Sequence, residues 1–231
     1  MILESVEPAP DDRSHPGHEV VGCPRSLLRR TVRLIVVVEG GNDIRFLKRI
    51  SLILNAADPE LPDLKALEHA GQLLFLPMGG SNVRYWTERL AGLGVPELHL
   101  YDHESVPEYY ERQALAALVN LRPACRAFVS SKRSLENYLD RQAIREARGI
   151  DVEFGDHDDV AQIVAARFLE SRGGPELPRL PSRARRRLIG SVKGWLNTEA
   201  VDRMTAQRLA SRDPTGEVRM WMKAILKATS C

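Results

Sequence analysis

Cysteine is scarce in this chain. The three residues, Cys23, Cys125 and Cys231, lie far apart and form no Cys-x-x-Cys pair. An odd count at such spacing argues against a disulfide framework and against thiolate zinc ligation. Long apolar runs are also missing, and none approaches the roughly 20 residues needed to cross a bilayer. The first dozen residues, Met1 to Asp12, are acidic and show no basic-then-apolar leader pattern. A cytoplasmic protein with no membrane segment is therefore the expectation. No G-x-x-x-x-G-K-[ST] phosphate loop occurs. Charge of one sign does not dominate: 33 basic and 31 acidic residues leave a net charge of +2. That sum neither demands nor excludes nucleic acid, so the distribution of charge has to decide.

What is present is a globular composition, 43% hydrophobic and 28% charged over 231 residues, enough for one α/β domain with additions. Residues 1–30, with Pro8, Pro10, Pro16, Gly17, Gly22 and Pro24 among polar neighbours, read as a flexible N-terminal arm. His15 and His18 fall there without partners at metal-ligand spacing. From residue 31 short apolar runs alternate with helical periodicity. Leu34 to Val38, Leu73 to Leu76, Leu98 to Tyr101 and Ala127 to Val129 read as strands. Helical spacing follows each, at Ile44 to Leu54, Val83 to Leu93, Glu108 to Asn120 and from about Ser134. The alternation predicts a mainly parallel sheet flanked by helices over residues 31–140. Residues 141–231 read as a helical extension, with a Gly/Pro/Arg connection over 171–187 and a break at Asp213 to Gly216.

The acids fall in a pattern. Parallel sheets bind ligands beyond the carboxyl ends of their strands. Glu39 directly follows the first strand, Asp102 and Glu104 the third, and Glu136 lies just past the fourth. Asp43 opens the first helix, where an acid also suits the helix dipole. Crowded carboxylates repel one another, and a divalent cation relieves that repulsion. Oxygen ligands without cysteine favour Mg²⁺ or Mn²⁺ over Zn²⁺.

These segments resemble the TOPRIM domain of OLD (overcoming lysogenization defect) nucleases. Leu34 to Asp43 is similar to the first motif, a strand followed by Glu-Gly and an aspartate four residues after the glutamate. Asp102-His103-Glu104 resembles the second, in which Asp-x-Asp is usual. Lys132-Arg133-Ser134-Leu135-Glu136-Asn137-Tyr138 resembles the basic–Glu–Asn–Tyr signature after the fourth strand. Pro77 to Asn82 looks like the glycine turn after the second. Residue 106 is valine, which sets the chain apart from the Asp-x-Asp-x-Asp form of primases and topoisomerases. The resemblance implies a Rossmann-like TOPRIM fold and metal-dependent cleavage of DNA or RNA. It implies that Glu39, Asp43, Asp102 and Glu104 hold one or two Mg²⁺ (or Mn²⁺) ions, with Glu136 contributing. Glu39, Asp102 and Lys132 would be catalytic, Lys132 as the cation that offsets phosphorane charge and Arg133 as its substitute. OLD proteins usually carry an ABC-type ATPase ahead of this domain, so the chain reads as the nuclease module alone, with a separate ATPase subunit as a partner.

Other readings stay open at this stage. The same fold can serve as a silent or partner-dependent nucleic-acid-binding module, and a homo-oligomer is compatible with it. A nucleotide-binding α/β domain is a third reading, weakened because Glu39 and Asp43 sit where a phosphate loop is electropositive. Arg133, Arg183, Arg185, Arg186 and Arg187 are candidate phosphate contacts. Gly40, Gly41, Gly79 and Gly80 would let backbone approach a ligand, or simply make turns. Met204, Leu209, Met220, Trp221, Ile225 and Leu226 read as packing residues rather than a cofactor box, or equally as a partner surface.

Overall fold

The computed structural model describes residues 32–79 and 83–230. The expected arm with His15, His18 and Cys23 lies outside them, as do Gly80 to Asn82 and Cys231.

Four strands, β1 (Leu34–Val38), β2 (Leu73–Pro77), β3 (Glu97–Tyr101) and β4 (Arg126–Val129), form a sheet in the order β2-β1-β3-β4. Every pairing is parallel, with Leu34 opposite Leu73, Ile35 opposite Glu97 and Leu98 opposite Arg126. These are the four strands that the apolar runs predict. The reason is plainest in β1, which is central and buried along its whole length. A strand covered on both faces needs apolar side chains at every position. Leu34, Val36 and Val38 join one core, and Ile35 and Val37 join the other.

Helices cover both faces. Helix α1 (Gly41–Ala57) presents Phe46, Leu47, Ile50 and Leu54 to the first core, and α2 (Leu64–His69) packs beside it. Helix α3 (Val83–Leu90) and α4 (Glu108–Asn120) cover the second face through Leu90, Leu115, Ala116 and Val119. From β1 the chain runs outward to β2, whereas β3 pairs on the other side of β1. The carboxyl ends of β1 and β3 therefore flank a topological switch point, the place where such sheets open a crevice.

The extension consists of α5 (Arg141–Arg148), α6 (Val160–Glu170), α7 (Ser182–Trp195), α8 (Ala206–Arg212) and α9 (Glu217–Thr229). Two details differ from the sequence reading. Residues Leu135–Tyr138 form a single buried 3₁₀ turn, and the next helix starts only after Asp140, whose carboxylate accepts the Gln142 N–H at 2.9 Å. The arginine stretch is not a connection but the opening of α7. Pro181 sets that boundary, and arginine is a good helix former. The end of α7 widens into a π-helical turn at Leu196–Ala200.

The first core does not stop at residue 140. It continues from the sheet through Leu135, Tyr138, Ile144, Val164, Leu196, Trp221 and Ile225. Met204, Leu209, Trp221 and Ile225 are buried as packing residues should be, whereas Met220 is 45% exposed and Leu226 half-buried. Each fully buried large apolar side chain stabilises by about 1.5–3 kcal/mol, so sheet and extension hold each other in place. Helix α9 returns to the sheet, where Arg33 Nη1 donates to the Thr229 carbonyl at 2.9 Å. Among the described residues, no helix is long and apolar enough to cross a membrane.

Candidate metal centre

The switch-point crevice is lined by carboxylates. Glu39 leaves β1 half-buried, and Asp102 and Glu104 leave β3 likewise. One oxygen from each of these three lies within 4.8 Å of the others. Asp43, in the first turn of α1, accepts the Gly40 N–H at 2.6 Å. Glu136, in the 3₁₀ turn after β4, is buried and accepts from Asn197 Nδ2 at 2.7 Å. Glu104 takes a left-handed backbone with φ +51°, uncommon for a residue other than glycine and a recurrent sign of a functional loop. Its N–H donates to the Arg133 carbonyl at 3.2 Å, which ties the β3 loop to the β4 loop. Gly79, at φ +68°, makes the turn that brings its N–H to the Glu39 carbonyl at 2.9 Å.

Crowding shows in the acidities. Burial, and then the charge of Glu136, push Asp43 up to about 7. Burial and the charges of Asp43, Glu39, Glu136 and Glu104 raise Asp102 well above the usual carboxylate range. Glu104 is raised by burial and by Glu39, with Lys193, Arg133 and Arg112 opposing. Mutually destabilised oxygen donors of this kind suit a hard divalent cation. The residues present therefore fit a Mg²⁺ or Mn²⁺ site.

Two cations from distant parts of the chain act on these acids, one by contact and one through its charge. Arg112 of α4 donates Nε to Glu39 Oε1 at 2.8 Å and Nη2 to Oε2 at 3.4 Å. Lys193, in the last turn of α7, is held protonated chiefly by the charge of Glu136, with Asp102 adding to it. Asn197 sits in the π-helical turn one turn beyond, fully buried, and its Nδ2 bonds both Glu136 and the Lys193 carbonyl. Sequence reasoning gave none of these three a role at the acids. Arg112 did leave a trace, because it occupies the inner stripe of α4 with Leu115, Ala116 and Val119, where an arginine needs a partner.

Lys132 and Arg133 both engage the loop that follows α5. Lys132 Nζ pairs with Asp156 and lies over the Tyr138 ring, 5.5 Å from its centre. Arg133 donates its N–H to the Asp156 carbonyl at 2.8 Å, and its guanidinium reaches Asp159 at 3.6 Å. Asn137 Nδ2 donates to the Gly155 and Asp158 carbonyls at 2.8 and 3.1 Å. The basic–Glu–Asn–Tyr segment thus clamps the loop 155–159, while Glu136 joins the other acids and Arg133 also acts on Glu104. Arg183, Arg186 and Arg187 are exposed and Arg185 half-buried on the first turns of α7. Arg186 is seven residues before Lys193 and shares its helix face.

The acids thus lie at the carboxyl ends of adjacent parallel strands, where the TOPRIM resemblance would have them. No family model matches this sequence, and no curated relative does. Among solved structures, the fold is similar to the C-terminal region of the Burkholderia pseudomallei OLD protein, at 18% identity and TM-score 0.50, over 86% of this chain and 98% of that one. The C-terminal region of the Xanthomonas campestris pv. campestris OLD protein aligns at 15% identity and TM-score 0.49, over 86% and 96%. Over 86% of its length the chain therefore shares its fold with the Burkholderia OLD C-terminal region.

Proposed function

We propose that this chain is a Mg²⁺- or Mn²⁺-dependent nuclease of the OLD-like TOPRIM type. The observation that carries the reading is the meeting of Glu39, Asp102 and Glu104 at the switch point, with Asp43 and Glu136 beside them. Glu39, Asp102 and Glu104 would hold a metal ion, with Asp43 and Glu136 available to a second. Such ions, when bound, supply an activated water and stabilise the leaving oxygen of a phosphodiester.

The protein's own groups do the rest. Lys193, in the field of Glu136, Asp102 and Glu104, would offset charge developing on the attacked phosphate, the task the resemblance gives to Lys132. Asn197 sets Glu136 and the last turn of α7 in register. Arg183, Arg185, Arg186 and Arg187 lead along α7 toward Lys193 and contact flanking phosphates, with Arg133 at the crevice itself. The fold shared with OLD C-terminal regions supports a separate ABC-type ATPase as partner, and a role in phage defence or mobile-element biology. One observation favours a second reading, a module that waits for that partner: Arg112 already occupies Glu39, so an internal cation competes for one ligand.

The test is cleavage of plasmid DNA and total RNA by the purified chain in Mg²⁺, Mn²⁺ or EDTA, beside a Glu39→Ala/Asp102→Ala variant. Metal-dependent cleavage that the variant lacks is expected. Cleavage that persists in EDTA or in the variant would contradict the proposal.

A further inference from the structure

A file of aromatic rings begins inside the acidic motif itself. His103, between Asp102 and Glu104, stacks on Tyr109 with ring centres 4.1 Å apart and planes 23° from parallel. The His157 ring stands 4.9 Å from His103, tilted by 54°, and the Tyr110 ring stands 5.6 Å from Tyr109, tilted by 57°. The inner two rings are half-buried and the outer two exposed, Tyr110 by 65%.

The file is held in place. Gln113 donates to the Tyr109 hydroxyl at 2.6 Å, and His103 bonds Ser130 through its N–H and the Glu104 carbonyl through Nδ1, at 3.1 and 2.9 Å. His157 rides on the loop that Lys132, Arg133 and Asn137 clamp. The acids of that loop are internally engaged: Asp156 by Lys132, Asp158 by the Gly155 N–H, and Asp159 by Arg133. The exposed Glu108 and Glu111 flank the two tyrosines on α4, so a strand's phosphates would have to pass away from that turn while its bases meet the rings.

We infer that this ledge, with exposed rings at both ends, stacks unpaired bases on either side of the scissile phosphate, so that the substrate is single-stranded or locally unpaired nucleic acid. Every base has a π-face, whereas a duplex keeps its internal base faces stacked on one another and out of reach of such rings. The inference rests on the nuclease reading and adds to it the form of the substrate.

Fluorescence anisotropy in EDTA would measure binding of single-stranded DNA, single-stranded RNA and blunt duplex to the full chain. A 2-aminopurine base in each single strand would report stacking. Tyr110→Ala/His157→Ala should lose about tenfold or more in affinity for single strands and should lose the 2-aminopurine quenching. Tyr110→Phe, which keeps the ring, should bind as the unmodified chain does, and duplex binding should not change in any variant. The preferred sugar shows whether DNA or RNA fills the ledge. Unchanged single-strand affinity in the double alanine variant, or an equal loss for duplex, would overturn the inference. Cleavage of the same oligonucleotides in Mn²⁺ separates the two readings. Metal-dependent cleavage with no stacking effect sinks the ledge alone, and stacking without any cleavage sinks the nuclease assignment alone.

Discussion

Lys193 and Lys132 stand among different neighbours, and the proposed function gives the phosphate to Lys193. Lys193 stands in the field of Glu136, Asp102 and Glu104, where a positioned ammonium can meet a phosphate held over the acids. Removing one such group costs about 10²–10³ in rate where it stabilises developing charge. Lys193→Ala should therefore lower single-turnover cleavage at least about 100-fold while Mn²⁺ binding persists. Lys132→Ala should instead lower the melting temperature, since its partners Asp156 and Tyr138 belong to the loop clamp. A cleavage defect confined to Lys132→Ala, with Lys193→Ala fully active, would reverse these assignments. The five acids were legible in the sequence because each sits at or just beyond a strand end, a position readable from local pattern. Lys193, Asn197 and Arg112 were not, because each arrives on a helix remote in sequence, and the packing that aims it is tertiary.

At the scale of the element, β3 departs from the rule that governs β1. Its alternate residues Glu97, His99 and Tyr101 are buried on the second face and satisfy one another. His99 lies 2.6 Å from Glu97 and 2.8 Å from the Tyr101 hydroxyl, which reaches Thr87 of α3 at 3.3 Å, while Arg122 bonds Glu97 at 2.7 and 3.0 Å. Burial holds the His99 imidazole below its ordinary value near 6.5 and pushes the Tyr101 phenol up to about 12. With both neutral, Tyr101 donates to His99 Nδ1 and His99 Nε2–H donates to Glu97. The bonds to His99 and Arg122 outweigh burial and keep Glu97 below the usual carboxylate range. A histidine depressed on folding favours the native state above its unfolded pKa, and that stability is lost as pH falls below about 6.5. The depressed Glu97 adds a loss of the same sign nearer pH 4.5. His99→Gln should destabilise the protein at pH 7.5 but flatten the fall in unfolding free energy between pH 6.5 and 5, as measured in urea. An unchanged slope would remove His99 from the acid response. The apolar half of β3 made it readable as a strand. Its polar half gave no sign of this network, because the partners Thr87 and Arg122 lie outside the strand.

For the molecule as a whole, the helical extension belongs to the site. The first core runs unbroken from β1 to α9, and α7 with the π-helical turn after it brings Lys193 and Asn197 toward the acids. The order β2-β1-β3-β4 puts the ends of β1 and β3 side by side, so that acids 63 residues apart meet, the Asp102 N–H donating to Glu39 at 3.3 Å. Parallel α/β order was legible from alternating strand and helix signals. The strand order was not, since no local pattern records which neighbour a strand chooses. The central claim is that this meeting point is a metal centre. Its most direct test is an anomalous difference map from crystals of the full chain soaked in Mn²⁺. The account predicts a peak within coordination distance of Glu39, Asp102 and Glu104 that disappears in Glu39→Ala/Asp102→Ala crystals. A map with no peak there, or with manganese only at other surface acids, would contradict it.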